Sequence, residues 1–134
     1  MDKAILQSAL AEYFAPWVQA LGLKVENFDA DSVSLRLPQN DELSRVGGML
    51  CGQAMMAAAD TAMVLALINQ SGQFRPCTTV QMNTSFLKPL SNQDAMVQAR
   101  VLRAGKSLAF GEIDIRGADD GKSVCRASVT YALL

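Results

Sequence analysis

Between Val46 and Phe74 the chain carries a single charged residue, Asp60, and that stretch limits what the rest can fold into. Gly47 and Gly48 punctuate its start. Gln53 to Ile68 is rich in Ala, Met and Leu, all strong helix formers. Asn69-Gln70-Ser71-Gly72 then supplies a stop. A helix that is apolar on every side is either buried or crosses a membrane. Gln53, Asp60 and Thr61 lie within it, and an aspartate near a bilayer centre is costly. The segments on either side look like strands and need something apolar to cover, so the expectation is a buried central helix wrapped by a curved sheet.

The flanking sequence fits that expectation. Leu6, Leu10, Tyr13, Phe14, Trp17, Val18 and Leu21 recur at helical spacing. Pro16 interrupts them, which predicts a first helix to about Ala15, a short turn, and a close at Gly22. Leu23 to Phe28 and Ser32 to Leu37 read as strands joined by Asp29-Ala30-Asp31; Val33, Leu35 and Leu37 alternate with Ser34 and Arg36. Pro38 to Leu43 is polar and reads as loop. After Pro76 come four more strand-like segments, Thr78 to Phe86, Ala95 to Arg103, Leu108 to Arg116 and Val124 to Leu133. Turn signals separate them at Lys88-Pro89, Ala104-Gly105-Lys106 and Ala118-Asp119-Asp120-Gly121. Segregated helices with clustered strands predict an α+β fold with an antiparallel sheet of five to six strands. No repeat or linker divides residues 1–134, which read as one domain.

Composition narrows the chemistry. There is no histidine among the 134 residues, so neither a Ser-His-Asp nor a Cys-His arrangement can be assembled, and no histidine-ligated zinc. Cys51, Cys77 and Cys125 are scattered and odd in number, which predicts reduced thiols rather than disulfides or a thiolate metal site. A net charge of −1 without a run of one sign gives no reason to expect a nucleic-acid partner. Met1-Asp2-Lys3-Ala4 lacks the features of a signal peptide, and the expected location is the cytoplasm, away from the membrane.

Asp60 then stands out. Buried acids are rare unless paired, and no basic residue lies within a helical turn or two of it. The bland explanation is a carboxylate satisfied by a hydrogen bond at an interface. The sharper one is a functional carboxylate without a partner, since such groups concentrate at active sites. Gly47-Gly48-Met49-Leu50-Cys51-Gly52 leads into a helix start whose first N–H groups have no internal partner and can stabilise a developing oxyanion.

Gly48-Met49-Leu50-Cys51-Gly52-Gln53 followed by Asp60-Thr61-Ala62 resembles the signature of hotdog-fold acyl-CoA thioesterases, nearest the phenylacetyl-CoA (PaaI-like) and 4-hydroxybenzoyl-CoA branch. In that family a Gly and then a His-Gly-Gly open the central helix, with an Asp or Glu eight residues after the middle position; Gly52 and Asp60 have that spacing. Thr78-Thr79-Val80-Gln81-Met82-Asn83-Thr84-Ser85-Phe86-Leu87-Lys88-Pro89 resembles the strand that follows. Cys51 replaces the His, Gln53 the second Gly, and Arg45 stands where an Asn or Gln often helps bind the thioester.

The resemblance implies a hotdog fold, hydrolysis of an acyl-CoA, no cofactor or metal, and subunits that pair with active sites at the interface. Helical geometry requires the same pairing: eight residues rise about 12 Å, so Gly52 and Asp60 of one helix cannot both touch one carbonyl. The expected assembly is a homodimer, extending to a dimer of dimers. Gly52 N–H would polarise the carbonyl. Asp60 of the partner would attack it or deprotonate a water. Thr78, in preference to Thr79, would position that water, and Arg45, Gly48 and Cys51 would border the substrate. Arg103 and Lys106, around the Gly105 turn, would hold CoA phosphates. Two rivals remain open: a hotdog dehydratase, which the missing histidine opposes, and a non-catalytic dimer that only binds acyl-CoA.

Overall fold

A computed structural model describes all 134 residues. Two helices, α1 (Lys3–Glu12) and α2 (Pro16–Gln19), precede strands β1 (Lys24–Phe28) and β2 (Ser32–Leu37). A 3-10 turn at Asp41–Leu43 leads to the two-residue strands β3 (Ser44–Arg45) and β4 (Met49–Leu50), and then to the long helix α3 (Gly52–Ser71). Strands β5 (Cys77–Phe86), β6 (Ala95–Ala104), β7 (Leu108–Gly117) and β8 (Ser123–Leu133) complete the chain. Six strands form one antiparallel sheet in the order β1-β2-β6-β7-β8-β5, and it wraps α3: the hotdog arrangement.

The amino-terminal helix ends earlier than its periodicity predicts. The Tyr13 N–H closes it on Ala9 O, and Pro16 starts α2 instead of preceding a turn. A proline in the first helical turn costs nothing, because its missing N–H would have had no partner. The stretch expected to be loop contains the 3-10 turn, which Asn40 caps by accepting from Leu43 N at 3.1 Å. At the other end of α3, Gly72 adopts φ +82 and its N–H closes on Ile68 O.

Burial follows the alternation in the strands. Val33, Leu35 and Leu37 of β2, Val97 and Ala99 of β6, and Ile113 and Ile115 of β7 face α3. The helix answers with Ala54, Ala58, Ala59, Ala62 and Ala66, small enough to let it lie close to the strands. Packing is tight at Gly111 on β7, where a Cβ would stand 2.4 Å from Met63 Sδ and 2.9 Å from Arg100 O. No helix is long and apolar enough to cross a membrane.

The two sheet edges differ. β1 is short, and Gln7 of α1 serves its outer side as another strand would: its Oε1 accepts from Val25 N at 2.8 Å and its Nε2 donates to Leu23 O. β5 is ten residues long, uncharged and without proline, and it pairs only with β8. Uncovered edges of that kind ordinarily carry lysine, proline or a covering element.

Candidate active site

Asp60 lies eight residues into α3, half-buried, with its carboxylate beside the inner face of β5 and β8. It has partners after all, and they are hydroxyls. Thr79 Oγ1 donates to Asp60 Oδ1 at 2.9 Å, and Tyr131 OH also bonds Oδ1 while lying 2.8 Å from the main-chain oxygen of Asp60. Burial first, then the Asp60 charge and hydrogen bond, push the Tyr131 phenol well above its ordinary range, so it remains a donor. Burial likewise raises the nearby Cys77 thiol, with a smaller push from Asp60.

An open cleft of about 250 Å³ adjoins the carboxylate, bordered by Phe14, Trp17 and Val18 on one side and Ala57, Val64 and Thr78 on the other. Trp17 is 64% exposed there, an aromatic held at the mouth by the short α2. Helical spacing alone marked Phe14, Trp17 and Val18 in the sequence, with no link to a cleft. Trp17 shows why that is incomplete: a large indole left mostly in water at a cleft mouth is available to a ligand.

Thr79, and not Thr78, meets Asp60. The register Thr79↔Tyr131 passes through a bulge at Val80 to Gln81↔Thr130 and Met82↔Val129. Counting by twos back from Met82 puts Val80 and then Thr78 on the inner face; the extra residue gives the place opposite Tyr131 to Thr79 instead. Thr78 pairs with Ala132 and reaches only the rim of the cleft.

The helix start forms a second, separate pocket. Cys51 N–H is tied to Leu43 O at 2.9 Å, and Cys51 caps α3 without a side-chain hydrogen bond, leaving the first-turn amides to outside partners. Gly52 faces the Phe86 ring, which would stand 3.3 Å from a Cβ at that position. Arg45, Met49, Phe86, Lys88 and Pro89 line this pocket with Gly52, and it shares no residue with the Asp60 cleft. Gly47 and Gly48, at φ +101 and +80, make the β3–β4 turn that holds Arg45 beside it. Arg103 and Lys106 are exposed around the β6–β7 turn at the far end of α3, where Lys106 O accepts from Arg75 Nη2 at 3.0 Å; neither lines the pocket or the cleft. No group of three or more Cys, Asp or Glu side chains gathers to hold a metal.

Comparison with known proteins agrees with this architecture. The family model described as "Thioesterase superfamily" matches residues 47–124, from the β3–β4 turn into β8. A protein of Sulfurisphaera tokodaii named "Putative esterase" is 30% identical over 105 residues, 78% of this chain and 76% of its own length. "Putative esterase Ta0293" of Thermoplasma acidophilum is 25% identical over 116 residues, 86% of each chain. The crystal structure of a mutant of thioesterase PA1618 from Pseudomonas aeruginosa superposes with a TM-score of 0.87 over 100% of this chain and 94% of its own, at 24% identity.

Proposed function

Because the chain belongs to the thioesterase superfamily, we propose that it is an acyl-CoA thioesterase whose active site is completed across a homodimer. The observation that carries this reading is the placement of Asp60: the one charge of α3, anchored by Thr79 and Tyr131 at a cleft beside an uncovered strand edge.

The pairing follows from α3 and β5. From Gly52 to Asp60 the helix is continuous, so the two are separated by about 12 Å of rise. They open into pockets with no residue in common. One thioester meets both only if they come from different subunits. The β5 edge supplies the means: two copies pairing antiparallel through residues 77–86 extend the sheet, cover Val80, which is 59% exposed, and set the two α3 helices antiparallel. A dimer of dimers then needs only a second contact between such pairs.

In that assembly the Gly52 N–H of one subunit, helped by the α3 dipole, binds the thioester oxygen as it gains charge. Asp60 of the other subunit either attacks the carbonyl carbon or takes a proton from a water that does. In the water route the C–O bond forms, the C–S bond breaks, and the thiolate leaves with the proton that Asp60 removed. The nucleophilic route passes through an acyl anhydride on Asp60 that water then opens. Thr79 and Tyr131 hold the carboxylate, and Thr78, which borders the same cleft, orders the water. Arg45, Gly48 and Cys51 border the thioester. Arg103 and Lys106 are brought toward the Gly52 end by the antiparallel partner, where they meet CoA phosphates.

The test is hydrolysis of a panel of aromatic and aliphatic acyl-CoAs by the native protein and Asp60→Asn, with the assembly checked by light scattering. Thioester cleavage that collapses in an intact Asp60→Asn dimer is the expected result. Equal rates would remove Asp60 from the mechanism. Binding without turnover of any acyl-CoA by the native protein would make it a binding module.

A further inference from the structure

The two hydroxyls that hold Asp60 both bond the same oxygen. Thr79 Oγ1 and Tyr131 OH lie on Oδ1, and Oδ2 has no hydrogen-bond partner in the chain. Oδ2 is also not sealed from solvent: the one fully buried side-chain polar atom left without a partner is Thr84 Oγ1. Such a lopsided arrangement is not what a structural carboxylate needs. A carboxylate oxygen accepts two hydrogen bonds readily, and a purely structural aspartate gains most when both oxygens are served.

Tyr131 adds a second constraint. Its hydroxyl lies within bonding distance of both the Asp60 carboxylate and the Asp60 main-chain oxygen, so one phenol ties the side chain back against its own helix turn. The ring is itself fixed, being 1% exposed near the end of β8, and Thr79 pairs with it directly across the β5–β8 ladder. The two donors thus come from opposed residues of neighbouring strands and form one rigid shelf under Oδ1.

From this geometry, and resting on the thioesterase reading above, we propose that Tyr131 is a positioning residue: with Thr79 it fixes Oδ1 and presents Oδ2 as the oxygen that meets the thioester carbon or its water. Tyr131 touches no reacting atom. It sets the rotamer of the carboxylate. The phenol supplies no proton to the reaction, since its own deprotonation lies far above any working pH.

The experiment compares native protein, Tyr131→Phe and Asp60→Asn on one acyl-CoA that the native protein cleaves. Removing one hydrogen bond to a charged group lowers kcat on the order of tenfold to a hundredfold. KM stays near native and the thermal midpoint changes little, so the loss falls on kcat alone. A native kcat in Tyr131→Phe, while Asp60→Asn is inactive, overturns the proposal and leaves the thioesterase reading standing. Native rates in Asp60→Asn end both together.

Should Tyr131→Phe fail to fold, fluorination decides the matter. The chain has two tyrosines, Tyr13 and Tyr131. Difluorotyrosine incorporated in a Tyr13→Phe background therefore labels Tyr131 alone. A more acidic phenol is a stronger donor to Asp60 and is expected to change kcat at an unchanged KM; a native kcat overturns the proposal.

Discussion

The contact between α3 and β7 at Gly111 allows a stability prediction to be worked through in numbers. Gly111→Ala places a methyl group 2.4 Å from Met63 Sδ, 2.5 Å from Met63 Cε and 2.9 Å from Arg100 O. Carbon contacts are comfortable at about 3.5–4.0 Å, so the methionine tip must retreat by about 1 Å. Met63 is 0% exposed, enclosed in the core, and Arg100 O belongs to the β6–β7 ladder, which does not yield locally. Overpacking of this kind costs about 1–3 kcal/mol, and with both a packed side chain and backbone obstructed we expect about 2 kcal/mol or more. Gly105→Ala is the internal control, since its Cβ would meet only Leu108 O at 3.4 Å. Urea unfolding of both variants measures the difference. Because Met63 lies one turn beyond Asp60, lifting α3 from β7 also loosens Asp60 from Tyr131, and kcat is expected to fall with stability. A Gly111→Ala midpoint equal to that of Gly105→Ala would refute the packing argument.

Two further outcomes follow. Val80→Glu sets like charges against each other near the middle of the paired β5 edges, and is expected to give folded monomers by light scattering with thioesterase activity lost; an active dimer would place the interface elsewhere. Burial, with a smaller push from Asp114, raises the Cys125 thiol from 9.0 to about 11, and Tyr131 is raised as well. Both groups keep their protons in the folded chain where the unfolded chain would lose them. Their stabilisation is therefore complete below pH 9 and declines as pH rises toward about 11. Denaturant midpoints at pH 8 and pH 10.5 should differ in that direction.

Much of this was legible in the sequence because burial imposes strong patterns. A helix apolar all round announced the centre of the fold, and its one charge announced the cleft. The sheet followed from alternation, as in Val33, Leu35 and Leu37. Which threonine meets Asp60 was not legible, because a bulge at Val80 adds one residue to β5 and changes which side chains face inward, an irregularity that no residue type in that strand marks. Tyr131 was missed although a signal existed. Cys125, Ala127, Val129 and Tyr131 share the inner face of β8, and a phenol among them has a hydroxyl that needs a buried partner. Asp60 was the nearest unexplained acceptor. The α2 contribution to the cleft was hidden because Pro16 reads equally well as a helix stop and as a helix start.

The most direct test of a site shared between subunits is complementation. Gly52 is the first residue of α3 and follows an extended Cys51, so Gly52→Pro removes the N–H at the position where proline is best tolerated. Gly52→Pro and Asp60→Asn are each expected to be inactive alone. When the two are unfolded together and refolded as a mixture, half the dimers are hybrids. Each hybrid holds one site with both a native Gly52 amide and a native Asp60. Recovery of about a quarter of native activity is the expected result for a twofold dimer with shared sites. A mixture as inactive as its components, with hybrid dimers shown to be present, would contradict the account.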